Sequence, residues 1–208
     1  GAPAPLYVAA AGVGTLRLID DDAVSLSNLQ RQIVFDTADV GRAKVIAGSE
    51  TLAALNPHVG LEPRPERLTA ANAAALIEGC DVVIDGTDDF GARFAVNAAC
   101  LACRIPLVSG ALGRWSGQVG VFHGSPCYCC LVPEPPPAAA TCSRVGVVGA
   151  LSGVVGAMAA LEAIKLIAGA GEPLSGRLLI YDGLAGTART VRVAPDPDCP
   201  DCGGQAKA

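Results

Sequence analysis

Short aliphatic and β-branched runs alternate with helix-length segments through the first half of the chain, and few folds accommodate that alternation. Thr15–Ile19 (TLRLI), residues 81–85 (DVVID) and residues 107–109 (LVS) read as strands bounded by turn residues. Residues 59–64 read as a further short strand. Between these runs, residues 41–55 read as a helix closed by Asn56-Pro57, residues 69–78 as a helix capped by Thr69, and Phe90–Cys103 as a third helix. Residues 4–11 read as the tail of a helix ending at Gly12 or Gly14. Strand–helix alternation of this kind predicts an α/β fold with a doubly wound, mostly parallel sheet.

The pattern changes after Gly110. Residues 118–123 and 177–193 read as antiparallel strands, with turns at Gly183 and Gly186. Residues 133–140 (PEPPPAAA) read as a stiff loop without regular structure, followed by a long apolar helix over residues 145–168. Neither an internal repeat nor a second domain boundary is visible, so residues 1–208 are expected to form one domain.

Apolar residues make up 51% of the chain and charged residues 17%, more than a core alone requires, which predicts an interface as well. The net charge of −5 lacks the basic excess of a general nucleic-acid binder. Residues 145–161 carry no charge and approach the length of a membrane span. They are mostly Gly, Ala and Val, however, and Glu162 and Lys165 follow at once. Gly149, Gly153, Gly156 and Ala157 would let another helix approach closely, so the reading is a buried helix at a homodimer interface, not a membrane helix.

Nine cysteines is an odd number and excludes a fully paired disulfide framework. The opening GAPAPLYVAA lacks the basic start of a secretory signal, so the expected location is cytoplasmic. Two CxxC knuckles, Cys127/Cys130 and Cys199/Cys202, lie far apart in Pro- and Asp-rich turns. The two-residue gap lets both sulfurs of a pair face one ion, and four thiolates suit a closed, structural zinc site that would clip the C-terminal segment onto the domain. Cys100 and Cys103 share the same spacing but lie in an apolar helical run, where they read as core, as does Cys80. Cys129 is off the ligand spacing and is left unassigned. Cys142 stands alone before a helix, where a thiol gains nucleophilicity.

Several strings occur together: DDD at residues 20–22, SNLQRQ at 27–32, GRAK at 41–44, NP at 56–57, DGTD at 85–88, PLVSG at 106–110 and the two knuckles. In this order and spacing the chain resembles the ThiF/MoeB family, related to ubiquitin-activating enzymes. The strings GVVG at 146–149, LEAIK at 161–165 and YDG at 181–183 lean toward the thiamine-pathway member.

The resemblance implies a Rossmann-like fold and ATP-dependent adenylation of the C-terminal Gly-Gly carboxylate of a ubiquitin-like sulfur carrier protein. The product would lead to a carrier thiocarboxylate for thiamine or molybdopterin synthesis. By position, the resemblance places Asp20 at the ATP ribose and Asp22 beside the nucleotide. It places Asn28, Arg31 and Gln32 along the phosphates, Lys44 on a phosphate and Asp88 on Mg²⁺. It implies Cys142 as a residue linked to the carrier during sulfur transfer, and a cysteine desulfurase or a rhodanese as further partners. Gly1 resembles the last glycine of the family's Gly-rich phosphate loop, so an N-terminally truncated domain is expected. The set Arg31, Lys44 and Asp88 serves a triphosphate and a metal, which disfavours a nicotinamide dehydrogenase. A non-catalytic, zinc-stapled scaffold for a carrier is the competing reading.

Overall fold

The computed structural model describes residues 3–135 and 146–203. Helix α1 (Pro3–Ala10) ends at Gly12, which takes a left-handed φ of +81°. Strand β1 (Thr15–Ile19) follows, then helix α2 (Lys44–Leu55). Asn56 closes α2, and its Nδ2 donates to the Ala9 carbonyl at 2.8 Å, tying α2 to the end of α1. Strand β2 (Gly60–Arg64) lies parallel to β1, with Thr15 opposite Gly60 and Ile19 opposite Arg64.

Helix α3 is shorter than the sequence suggests. It spans Ala73–Ile77 and does not begin at Thr69. The Asn72 Oδ1 accepts from the Thr69 N–H at 2.7 Å and its hydroxyl at 3.0 Å, which closes a turn where a first helical turn was expected. Strand β3 (Val83–Asp85), helix α4 (Phe90–Cys103) and strand β4 (Leu107–Leu112) complete a second strand–helix–strand unit, with β3 and β4 parallel. Strand β5 (Ser116–Phe122), the short helix α5 (Tyr128–Leu131), the long helix α6 (Gly149–Ala168) and strands β6 (Arg177–Asp182) and β7 (Thr187–Arg192) follow.

The strands form a two-stranded sheet, β1-β2, and a five-stranded sheet in the order β3-β4-β5-β6-β7. Beyond β3-β4, the pairs of the larger sheet are antiparallel. The strands after Gly110 pair antiparallel as expected, while the parallel part is smaller than expected, one pair in this sheet and β1-β2 apart, so the fold is mixed and not mostly parallel. The loops decide this: a few residues separate β4 from β5 and β6 from β7, and a connection that short joins only antiparallel neighbours. Strand β7 is exposed along its whole length and forms the edge.

The larger sheet is covered on both faces. On one, Val96, Ala99 and Cys100 of α4 pack with Leu107, Phe122 and Leu178. On the other, Val155, Ala159 and Ala163 of α6 and Ala4 and Val8 of α1 pack with Val108, Val119 and Val121. Alternate residues of β4 and β5 thus serve opposite layers. Val108, Val119 and Val121 are fully buried, each stabilising the fold by roughly 1.5–3 kcal/mol.

By length and composition α6 could cross a membrane. One side of it is buried in this core, and Glu162 is buried there with its charge paired. Its Oε1 lies 2.5 Å from Lys165 Nζ and its Oε2 accepts from the Leu174 N–H at 2.8 Å. Gly156 permits the close crossing with α1, because a Cβ there would sit 2.9 Å from Pro3 Cβ.

Candidate functional site

Asp20, Asp21 and Asp22 lie where β1 ends, with their carboxylate oxygens within 4.8 Å of one another. The Asp22 N–H donates to Asp20 Oδ1 at 2.9 Å, which folds the turn onto itself. The chain then returns antiparallel. Ala23 pairs with Ala43, the Val24 N–H donates to the Arg42 carbonyl at 2.9 Å and the Lys44 N–H to the Asp22 carbonyl at 3.0 Å. This places the first residue of α2 over the acidic turn. Lys44 Nζ lies 2.6 Å from Asp22 Oδ2 and 3.6 Å from Asp20 Oδ2. Burial pushes the Asp20 carboxyl up from its ordinary pKa, opposed by the Asp22 N–H and the Lys44 ammonium.

Residues 26–32 form a compact segment. A 3₁₀ turn covers Leu26–Asn28, and Asn28 Oδ1 accepts from the Ser25 N–H at 3.4 Å. Arg31 and Gln32 are half-buried. Arg31 Nη1 donates to the Ser27 carbonyl at 3.1 Å, while Gln32 Oε1 is buried without a hydrogen-bond partner among the described residues. The segment abuts the start of α6, since a Cβ on Gly149 would collide with the Gln30 carbonyl oxygen. Asp88 is exposed on the loop after β3. Asp20, Asp22 and Lys44 are brought together directly. No hydrogen bond or ion pair among the described residues joins Arg31 or Asp88 to that trio. Gly1 and Cys142 lie outside the described residues.

Sequence reasoning missed Arg93. It is a buried charge in α4, and its guanidinium organises the loop that carries Asp88. Nη2 donates to the Gly110 carbonyl at 2.8 Å and to the Thr87 carbonyl, and Nη1 to Ser109 Oγ at 3.2 Å. Nη1 also lies 3.7 Å from Asp85 Oδ2, a buried carboxylate whose Oδ1 accepts from the Thr87 N–H and hydroxyl. Asp89 caps α4 by accepting from the Gly91 and Ala92 N–H groups. The loop is thus held on either side of Asp88, whose own carboxylate makes no hydrogen bond or ion pair among the described residues.

The two knuckles converge. Sulfur atoms of Cys127, Cys130, Cys199 and Cys202 lie within 4.8 Å of one another, with Cys127–Cys199 at 3.6 Å and Cys130–Cys202 at 3.4 Å. Four sulfurs about 2.3 Å from one tetrahedral ion would be spaced by about 3.8 Å, so these residues fit a zinc ion. The neighbouring Cys129 thiol holds the Cys127 thiol below its ordinary value, while burial raises that of Cys202. Cys129 lies inside the first knuckle and donates to Asp201 Oδ2 at 2.9 Å.

Cys100 is buried as expected, and burial pushes its thiol up to about 12. Cys103 was read as core but is exposed, because it sits in the last turn of α4. Cys80 is half-buried, 3.8 Å from Arg17 Nη1. His58 and His123 are exposed.

A model of the ThiF family matches residues 1–201. The chain belongs to the ThiF family. This ThiF-family chain is 43% identical to a sulfur carrier protein adenylyltransferase of Thermus thermophilus, over 99% of this chain and 79% of that one. It is 44% identical to a molybdopterin-synthase adenylyltransferase of Escherichia coli, over 98% of this chain and 83% of that one. The fold is similar to that of E. coli MccB solved with ATP, with a TM-score of 0.80 at 22% identity, over 98% of this chain and 64% of that one.

Proposed function

We propose that this ThiF-family chain uses ATP to adenylate the C-terminal Gly-Gly carboxylate of a ubiquitin-like sulfur carrier protein. The observation that carries the reading is 43–44% identity, along nearly the whole chain, to relatives named as adenylyltransferases of a sulfur carrier and of molybdopterin synthase. In the reaction, a carrier carboxylate oxygen attacks the α-phosphorus of ATP and pyrophosphate leaves, giving an acyl-adenylate.

Two like charges must meet, so the chain's work is neutralisation and positioning. Asp20 would hold the ribose, in the manner of acidic residues after the second strand of nucleotide folds. Asp22 would hold the Lys44 ammonium in place, as its 2.6 Å contact suggests, until a phosphate oxygen competes for it. Arg31, with Asn28 and Gln32 beside it, would face the phosphates. The exposed carboxylate of Asp88, without a partner among the described residues, is a hard oxygen donor of the kind Mg²⁺ takes, and the ion would offset charge on the triphosphate. No general base is required, because the attacking carboxylate is already ionised.

Further parts of the reading extend from this core. Zinc on Cys127, Cys130, Cys199 and Cys202 would be structural. The small-residue helix α6 would lie at a homodimer interface. Cys142 would be linked to the carrier during sulfur transfer, its sulfur displacing AMP from the acyl-adenylate, and a desulfurase or rhodanese would be a further partner. Retained carrier thiocarboxylate formation in Cys142→Ser removes that role.

The test is carrier-dependent ATP–pyrophosphate exchange by the full-length protein, with molybdopterin-type and thiamine-type carriers in parallel. Exchange with one carrier establishes adenylation and selects the pathway. No exchange with any Gly-Gly carrier leaves a nucleotide-binding scaffold as the better account.

A further inference from the structure

Asn97 is a polar residue in the apolar stretch of α4, 1% exposed, and no part of the adenylation chemistry uses it. Its amide group is shared between the two cysteine knuckles. Oδ1 accepts from the Tyr128 N–H at 2.9 Å, inside the first knuckle. Nδ2 donates to Asp201 Oδ2 at 2.8 Å, inside the second, and approaches Cys129 Sγ at 3.5 Å. Asp201 Oδ2 accepts from Cys129 Sγ as well, so one carboxylate oxygen gathers both contacts. Tyr128 is further fixed by the Arg93 guanidinium, 5.9 Å from its ring centroid, and by edge-on contact with Phe122.

We propose that Asn97 is a positioning residue for the four-cysteine centre, with Asp201 as its partner. It sets the separation of the two knuckles and docks the pair on α4. The proposal rests on the reading of Cys127, Cys130, Cys199 and Cys202 as a metal site. The physical reason is geometric. A tetrahedral thiolate site needs sulfurs from two chain segments held at one spacing, and each knuckle fixes only its own pair. The amide of Asn97 is a single rigid plane with an acceptor at one corner and a donor at the other, so it fixes the remaining distance. Outer-shell groups that orient ligands in this way are worth 10–100-fold in metal affinity.

The test uses Co²⁺ as the probe in the full-length protein, read by its thiolate charge-transfer absorption and by competition with Zn²⁺. Asn97→Asp keeps the acceptor for Tyr128 but sets a carboxylate against Asp201. We expect it to weaken Co²⁺ and Zn²⁺ binding by roughly 10–100-fold and to alter the charge-transfer band. Combining Asn97→Asp with Asp201→Asn reverses the donor and acceptor across the same contact, and we expect binding to return to within about threefold of the parent. Wild-type affinity in Asn97→Asp overturns the proposal, and so does a double variant no better than the single one. Failure of the unaltered protein to bind Co²⁺ through its thiols removes the metal reading and the proposal together, while leaving adenylation untouched.

Discussion

At the scale of single residues, the charged side chains of the candidate site divide by what holds them. Arg31 is anchored through one hydrogen bond to its own turn, which leaves donors for a phosphate. Arg31→Ala is expected to lower carrier-dependent pyrophosphate exchange by about 10²–10³-fold, the loss that follows removal of one transition-state donor. Equal exchange by the variant would count against a phosphate role.

Asp20 predicts a pH effect of definite sign. Its folded pKa is raised, chiefly by burial, so its contribution to stability is fully present below the unfolded carboxyl value of about 3.9. That contribution is lost as pH rises through the folded pKa. At neutral pH the ionised group opposes folding, and Asp20→Asn is expected to raise the Tm at pH 7, with the gain shrinking toward pH 4, while weakening ATP binding. Thermal melts at both pH values check this.

Thiol reactivity follows exposure in the same way. In the native protein Cys103 should react with N-ethylmaleimide well before Cys100, which is buried and held protonated, as peptide mapping would show.

Elements were legible to different degrees. Phe90–Cys103 follows its sequence signals from end to end, since Asp89 caps it locally and its apolar stripe is long. Helix α3 was overestimated because Thr69 and Asn72 satisfy each other's polar groups in a turn, a competition that periodicity does not register. The strands were legible, and so was the change to antiparallel pairing after Gly110; the separation of β1-β2 from the larger sheet was not, because strand runs alone do not say which strands share a sheet.

The glycines show a related limit. Gly117 in β5 carries no sequence sign of its task, yet a Cβ there would overlap Val155 of α6. Gly117→Ala is expected to destabilise the protein by about 1–3 kcal/mol through overpacking, measured by urea unfolding. A neutral result would mean that the Val155 side chain repacks around the added methyl without cost.

For the molecule as a whole, the convergence of four cysteines was legible where the candidate site was only partly so. CxxC spacing is local, and each knuckle announces itself. Arg93 and Asn97 do not, because their partners lie elsewhere in the chain and only the fold reveals why a helix core carries them. Arg93, at least, stood one residue type apart from its apolar neighbours, the signal available for it. If the cysteine centre holds zinc, chelation should lower the Tm of the whole domain and restored zinc should recover it, since binding free energy of such sites is folding free energy. An unchanged melt after complete removal would assign the thiols another purpose.

Cys127 and Cys130 are joined by partners that the ribosome adds 72 residues later. During synthesis the earlier segments, including the β3–α4–β4 unit, emerge while Cys127 and Cys130 still lack their counterparts. The centre therefore closes only after Cys202 has emerged. A chain interrupted before that point has no way to complete the four-cysteine cluster, so that cluster distinguishes the finished domain from an incomplete one.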